Sequence, residues 1–467
     1  MYRDLTRGSI VRPLLLFALP MLAGDLLQQL YNIADTLIVS RVIGRDALAA
    51  VGSAYTLMIF ITSILLGLSM GAGALFSIFR GRGDDSSLRR SIVHAFGLIG
   101  ACALLLTALA YALLPQILAF LQVPEDVSPL MRAYLLAIFA GIPATFLYNF
   151  FACLLRAVGN SATPLLFSGI SAVLNVGLDL LFVLVIPWGV SGAAWATVIS
   201  QYVAGLGLMI FTLLRCPSLR PKRGEVHFDG ALLREIFSLS SLTCVQQSVM
   251  NFGILMIQGL VNSFGEIVMA AFAAAVKIES FAYMPAQDFG NAFSTFVAQN
   301  YGAGQSERIR KGTRRSFALV LGFCAVISAL VFVFAEPLMR LFISAGETEV
   351  IAQGVHYLRC VAPFYFGIGF LFLFYALYRA VKRPAMSVVL TVISLGTRVA
   401  LAYLTAGRFG VTGIWAAIPI GWILADTTGA AVWLRTRSSI EKAIAVETKP
   451  NSTEKLFETS SARKCEN

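Results

Sequence analysis

The sequence predicts an all-α polytopic membrane protein with twelve transmembrane helices in two homologous six-helix bundles. Three observations carry that prediction. The 467-residue chain is 58% hydrophobic and only 13% charged, with a mean hydropathy of +0.78, whereas soluble domains hold about a quarter charged residues. Apolar stretches such as 97–114, 318–335 and 361–377 approach the roughly 20 residues that cross a bilayer. The chain also repeats itself. Gly44, Gly81, Gly83, Gly189 and Gly192 recur 221 positions later as Gly265, Gly302, Gly304, Gly410 and Gly413. Between these anchors "IGRDALAAVGSA" (43–54) answers "FGEIVMAAFAAA" (264–275), "LLRAV" (154–158) answers "LYRAV" (377–381), and "GVSG" (189–192) answers "GVTG" (410–413).

A repeat of this length is too long for a solenoid unit. In a membrane chain it implies two bundles around a central cavity, a plan that recurs among transporters. Spans are expected near 14–40, 47–78, 91–114, 130–153, 162–186 and 190–214. The second copy gives 234–262, 267–299, 314–335, 350–378, 384–405 and 412–436. The first bundle is expected over 1–214, a linker over 215–233, the second bundle over 234–436 and a polar tail over 437–467. Six spans per copy make the copies enter the membrane in one direction, related by an axis along its normal. Twenty-eight of the 36 lysines and arginines fall in the segments on one side and six on the other. The positive-inside rule therefore puts both termini in the cytoplasm. The same distribution explains the net charge of +11 without nucleic acid. No cleavage site precedes a soluble domain, so no signal peptide is expected.

Taken in order, the helices differ in what they bury. Helix 1 carries Asp25, Gln28, Asn32 and Asp35 at spacings of three or four, joined by Gln29 and Thr36. These make a polar stripe along one side. Helices 2 and 3 flank the basic loop "RGRGDDSS" (80–87) and are apolar, and helix 4 contains Pro143. Helix 5 carries Ser168, Ser171, Asn175 and Asp179, with the last two at i,i+4 and so on one face. Helix 6 opens at "GVSG". The linker "RCPSLRPKRGEVHFDG" (215–230) is marked by Pro, Gly and charge. Helix 7 holds Gln246, Gln247 and Asn251 but no acid at the positions matching helix 1. Helix 8 places Lys277, Asp288 and Asn291 on one face and Glu279 nearly opposite. Lys277 and Asp288 lie about 16 Å apart along the axis, too far to pair. Helix 11 adds Arg398, and Pro20, Pro285, Pro363 and Pro419 offer sites for bending.

An ionisable side chain inside a span is costly and marks a functional position by default. A carboxylate beside neutral oxygens suits a proton or a hard cation such as Na⁺. The opposing reading is that such groups hydrogen-bond between helices as packing. It fits Asn32, Ser168 and Ser171 better than Asp35 and Asp179, because packing needs no charge. Lys277, Asp288 and Arg398 allow structural pairing, a substrate pathway, or both. Seven unpaired cysteines and three scattered histidines give no disulfide or metal spacing. No catalytic dyad and no HExxH motif suggest an enzyme.

The run "LPMLAGDLLQQLYNIADTLIVSRVIGRDALAAVG" (19–52) resembles the opening helix pair of multidrug and toxic compound extrusion (MATE) transporters. "LLRAVGNSATP" (154–164), "LNVGLDLLFV" (174–183), "GVSGAAWATVISQ" (189–201) and "QNYGAGQ" (299–305) match at the expected places, over about residues 8–436 and closest to the DinF-like bacterial branch. The resemblance implies two lobes around a V-shaped cavity and a secondary antiporter. Cationic or amphipathic organic compounds would leave in exchange for H⁺ or Na⁺. It places the cation site, or a Na⁺ site, at Asp35, Asn175, Asp179 and Thr197. The acid that one branch carries in helix 7 is absent here. The substrate pathway is expected to include Gln28, Asn32, Gln246, Lys277, Met284, Asp288 and Arg398. No cofactor beyond the coupling ion is expected. The expected setting is a monomer in the bacterial cytoplasmic membrane, with small organic substrates and lipid as its partners. The runner-up is a flippase for lipid-linked saccharides of the same superfamily. Pyrophosphate would then call for a cavity lined with several cations, and only Lys277 and Arg398 are available.

Overall fold

The computed structural model describes residues 3–43, 45–120, 127–222, 227–344 and 346–447. Among them are twelve helices long and apolar enough to cross a membrane. The first six are α1 (Val11–Val42), α2 (Arg45–Arg82), α3 (Asp85–Ala112), α4 (Ser128–Ala157), α5 (Ala162–Val185) and α6 (Val190–Arg215). The second six are α7 (Gly230–Asn262), α8 (Glu266–Gly302), α9 (Ser306–Val333), α10 (Thr348–Ala380), α11 (Pro384–Phe409) and α12 (Val411–Glu447). No strand occurs among the described residues. Gly44 and the tail from residue 448 lie outside them.

The repeat reappears in backbone conformation. Gly83 and Gly304 adopt φ of 77° and 74°, and Gly189 and Gly410 adopt 61° and 59°. This left-handed region carries no Cβ penalty for glycine. A short helix follows α3 at Leu114–Phe120 and follows α9 at Ala335–Arg340, where the sequence predicts that the spans simply end. Pro143 and Pro363 sit beside short 3₁₀ turns, at Phe139–Gly141 in α4 and Ala362–Phe364 in α10. Pro20, Pro285 and Pro419 lie inside α1, α8 and α12. α12 continues to Glu447, through 437–447, where the sequence predicts a polar tail. Ile440 and Ile444, one turn apart, are buried in the second lobe, and that apolar spacing extends the helix.

The lobes join at the end that carries the linker. There α2 crosses α8 through two equivalent glycines. A Cβ on Gly81 would stand 1.9 Å from the Gln299 carbonyl oxygen, and one on Gly302 would stand 1.9 Å from that of Ile78. Glycine is what lets these backbones touch. Gly67 and Gly71 of α2 also press on α7, where a Cβ would stand 2.6 Å from Cys244 Cα and 2.5 Å from Ser240 Cα. The lobes also exchange helix ends. Leu14, Phe17, Ala18 and Met21 of α1 belong to the second lobe's core, and Leu232, Ile236 and Leu239 of α7 belong to the first. Beyond Met21, α1 leaves that core, and Gln28, Gln29, Leu30, Ile33 and Thr36 are exposed.

The segment before α1 straps this joint. Arg3 N–H donates to the Gly159 carbonyl at 3.0 Å, and Leu5 is buried in the second lobe. Arg308 of α9 donates to the carbonyls of Leu5, Arg7, Gly8 and Ser9. Gln299 bridges the lobes, with Nε2 donating to the Ala157 carbonyl at 2.8 Å and Oε1 accepting from Leu5 N–H at 3.4 Å.

Candidate cation and substrate sites

The first lobe gathers Asp35, Asn175, Asp179 and Thr197 from α1, α5 and α6. Asn175 and Asp179 are 2% and 0% exposed. The Asn175 amide satisfies its neighbours in one orientation. Nδ2 then donates to Asp179 Oδ2 at 3.3 Å, and Oδ1 accepts from the Thr197 N–H and hydroxyl, each at 3.3 Å. Asp35 lies near enough to Asp179 for their charges to interact, and the buried Tyr134 of α4 faces both. Asp35 Oδ1 and Asp179 Oδ1 are each buried without a hydrogen-bond donor. A buried carboxylate oxygen without a donor is expensive, so this arrangement suits a proton or a small cation. Immediately after Asp179 the backbone widens into a π turn, Leu180–Val185. Such turns inside α-helices are frequent at functional sites.

The other residues singled out in the sequence fall into separate places. On α1, Gln28 is exposed and bonds the Tyr31 hydroxyl, while the Asn32 carbonyl accepts from the Thr36 hydroxyl at 2.7 Å. Gln29 Nε2 reaches Met284 Sδ of α8 at 3.9 Å, touching the opposite lobe. Gln246 is buried in α7, and its Nε2 has no acceptor. Lys277 is exposed and forms no described ion pair. Asp288 is 4% exposed and faces Asp25 across the lobe boundary, beside Arg156. Arg398 lies inside the second lobe, near Glu279, Tyr357 and Tyr283. Glu279, which the helical spacing puts on the far face of α8, accepts a hydrogen bond from the Tyr357 hydroxyl. Tyr357 in turn packs edge-on against Trp415. This polar group is interior to one lobe and apart from Lys277 and Asp288.

Of two arginines counted with the basic loops, Arg156 proves half-buried and Arg379 buried. Arg156 ends α4 and meets Asp25 and Asp288. Its counterpart Arg379, at the end of α10, is 6% exposed and donates to Ser294 Oγ at 3.3 Å and Asn291 Oδ1 at 3.2 Å. They belong to the lobe joint rather than to a loop surface. Asp426 of α12, with Oδ1 buried and unpartnered, is a further intramembrane acid. Its signal was a lone carboxylate in the apolar run "GWILADTTG".

The MatE family model matches the chain twice, at residues 20–181 and 243–404, one match in each lobe. A Bacillus subtilis multidrug resistance protein, YpnP, is 31% identical over 84% of this chain and 87% of its own length. A multidrug resistance protein of Thermotoga maritima, NorM, is 25% identical over 87% of this chain and 88% of its own. Among solved structures, a MOP superfamily transporter from Pyrococcus furiosus superposes with a TM-score of 0.87 at 22% identity, over 94% of this chain and 98% of that one. With twelve spans in two matching halves and this double match, the chain belongs to the MatE family of multidrug and toxic compound extrusion transporters.

Proposed function

We propose that the protein is a secondary antiporter of the bacterial cytoplasmic membrane. It exports cationic or amphipathic organic compounds in exchange for H⁺ or Na⁺, with the linker end facing the cytoplasm. The observation that carries this reading is the pair Asp35 and Asp179, two carboxyls whose Oδ1 atoms are buried without donors, with Asn175 and Thr197 beside Asp179. A proton fits the arrangement with the Asn175 amide donating to Asp179. The opposite amide orientation turns Oδ1 toward Asp179 and leaves Nδ2 on Thr197 Oγ1 at 3.3 Å, so that oxygens of Asp35, Asn175 and Asp179 face inward together. That is the set a Na⁺ ion would need, which prefers several oxygen ligands.

In an exporter the coupling ion enters from outside, and the exposed stretch of α1 around Asp35 gives it access. Binding at Asp35 acts on α1, which already departs from the second lobe beyond Met21 and has Pro20 at its base. Reshaping α1 alters the cleft wall and favours substrate release. The ion supplies the difference in affinity between the two states that any such shift requires. The multidrug names of relatives support organic substrates.

The test is resistance and export in a drug-sensitive host. Asp35→Asn and Asp179→Asn should each abolish resistance at unchanged membrane expression. Full export by both variants would remove the proposed coupling site.

A further inference from the structure

We propose that Asp25 and Asp288 form a second proton-binding site, built across the two lobes and complete only while the linker end is closed. Asp25 comes from α1 of the first lobe and Asp288 from α8 of the second, and their carboxyls stand within hydrogen-bonding reach of each other. Asp288 is 4% exposed, and its Oδ2 has no other donor. Two carboxylate oxygens at that separation, out of water, repel unless one holds a proton. The pair with one shared proton carries a single negative charge, which the neighbouring Arg156 balances.

The surroundings hold few other ionisable groups. From α4, Arg156 and Tyr148 face Asp25, and the Tyr148 hydroxyl is hydrogen-bonded to Ser168 of α5. Cys153, also of α4, lies between Arg156 and Arg379 of α10. Arg379 itself is engaged by Asn291 and Ser294. No further described charge acts on either carboxyl. The site is separate from the Asp35 group, ten residues further along α1.

Its position gives the proton a conformational consequence. Parting the linker end carries the stretch of α1 beyond Met21 away from α8, while its first turns stay in the second lobe's core. Asp25 and Asp288 then separate, each gains water, and the shared proton passes to solvent at that end. Closure is the reverse: one proton is taken up as the O–H···O bond forms. In the antiport reading above, which this role in turnover rests on, the proton would leave toward the cytoplasm. Proton-dependent closure itself does not depend on that reading.

The test measures closure directly. Nitroxides are placed at Ser86→Cys and Arg310→Cys, exposed positions in the first turns of α3 and α9, with the native cysteines replaced. Distances are read by electron–electron resonance in lipid nanodiscs in sodium-free buffer from pH 5 to pH 9. Asp35→Asn with Asp179→Asn is the background, so the first lobe's carboxyl pair is silent. The expected result is a closed-to-open ratio that falls at least tenfold as pH rises. Adding Asp25→Asn should hold the closed distance at every pH, because the amide N–H replaces the proton, and Asp288→Asn should do the same. A pH-independent ratio in the background protein overturns the proposal, and so does an undiminished pH response in both added variants. If antiport alone is wrong, export ignores ion gradients while this distance still responds. If the pair is wrong, the distance is unresponsive while gradient-driven export persists.

Discussion

Replacing Gly81 with alanine should open the linker end. The added Cβ would stand 1.9 Å from the Gln299 carbonyl oxygen, so α2 and α8 must part by about 1.5 Å to reach ordinary contact. The obstacle is backbone, which no rotamer change can relieve. A shift of that size also stretches the 2.8 Å bond from Gln299 Nε2 to the Ala157 carbonyl beyond hydrogen-bonding range. Overpacking of this kind costs about 1–3 kcal/mol, a disfavouring of the closed form by roughly 5- to 150-fold. Gly302→Ala should have a matching effect, because its Cβ meets the Ile78 carbonyl oxygen at the same 1.9 Å. The assay is the inter-lobe distance between labels at Ser86→Cys and Arg310→Cys, with Gly97→Ala as control, since nothing lies within 4 Å of a Cβ there. Wild-type distance distributions in both the Gly81 and Gly302 variants would refute the reasoning.

Two further predictions concern other parts of the molecule. Tyr357→Phe removes the donor to the Glu279 carboxyl and should destabilise the second lobe by about 1–3 kcal/mol, read as a lowered melting temperature in detergent; an unchanged midpoint would show that the bond contributes nothing. Asp229 caps α7, its Oδ1 accepting from Leu232 N–H at 3.0 Å, and Arg90 lies 3.6 Å from its Oδ2. The Leu232 N–H first, then Arg90, hold its carboxyl below the usual carboxylate range. With the folded-state value lowered, the cap is fully present above the ordinary carboxylate range and is lost as pH falls through the lowered value. Hydrogen exchange at the start of α7, corrected for intrinsic rate, should therefore stay flat down to about pH 5 and rise only in stronger acid. A rise already near pH 6 would contradict this assignment to Asp229.

How much was legible in the sequence depends on whether a contact is local. The spans were legible because bilayer thickness dictates their length. Asn175 and Asp179 were legible as a unit because i,i+4 fixes their common face on α5. The duplicated glycines were visible, but the reason for Gly81 and Gly302, a backbone crossing between lobes, appears only when α2 meets α8. Arg156 and Arg379 read as loop charges because each ends its span; only the packing of the two lobes shows them drawn into the joint. Asp25 stood in a recognisable polar stripe, yet its neighbour Asp288 is 263 positions away in the chain, and no periodicity reports such a pairing. Glu279 and Arg398 escaped for the same reason, since they come from separate helices, α8 and α11. Ile440 and Ile444 lay in a mostly polar stretch, where two apolar residues were too weak a signal to extend α12.

The most direct test of the central claim is drug export from oriented vesicles with pH and Na⁺ gradients imposed one at a time. One of these gradients alone should drive uphill substrate movement. Asp35→Asn and Asp179→Asn should each eliminate that driven movement while leaving the vesicle content of protein unchanged. Uphill export that persists with neither gradient, or that survives in both variants, would contradict coupling through the first lobe's carboxyl pair.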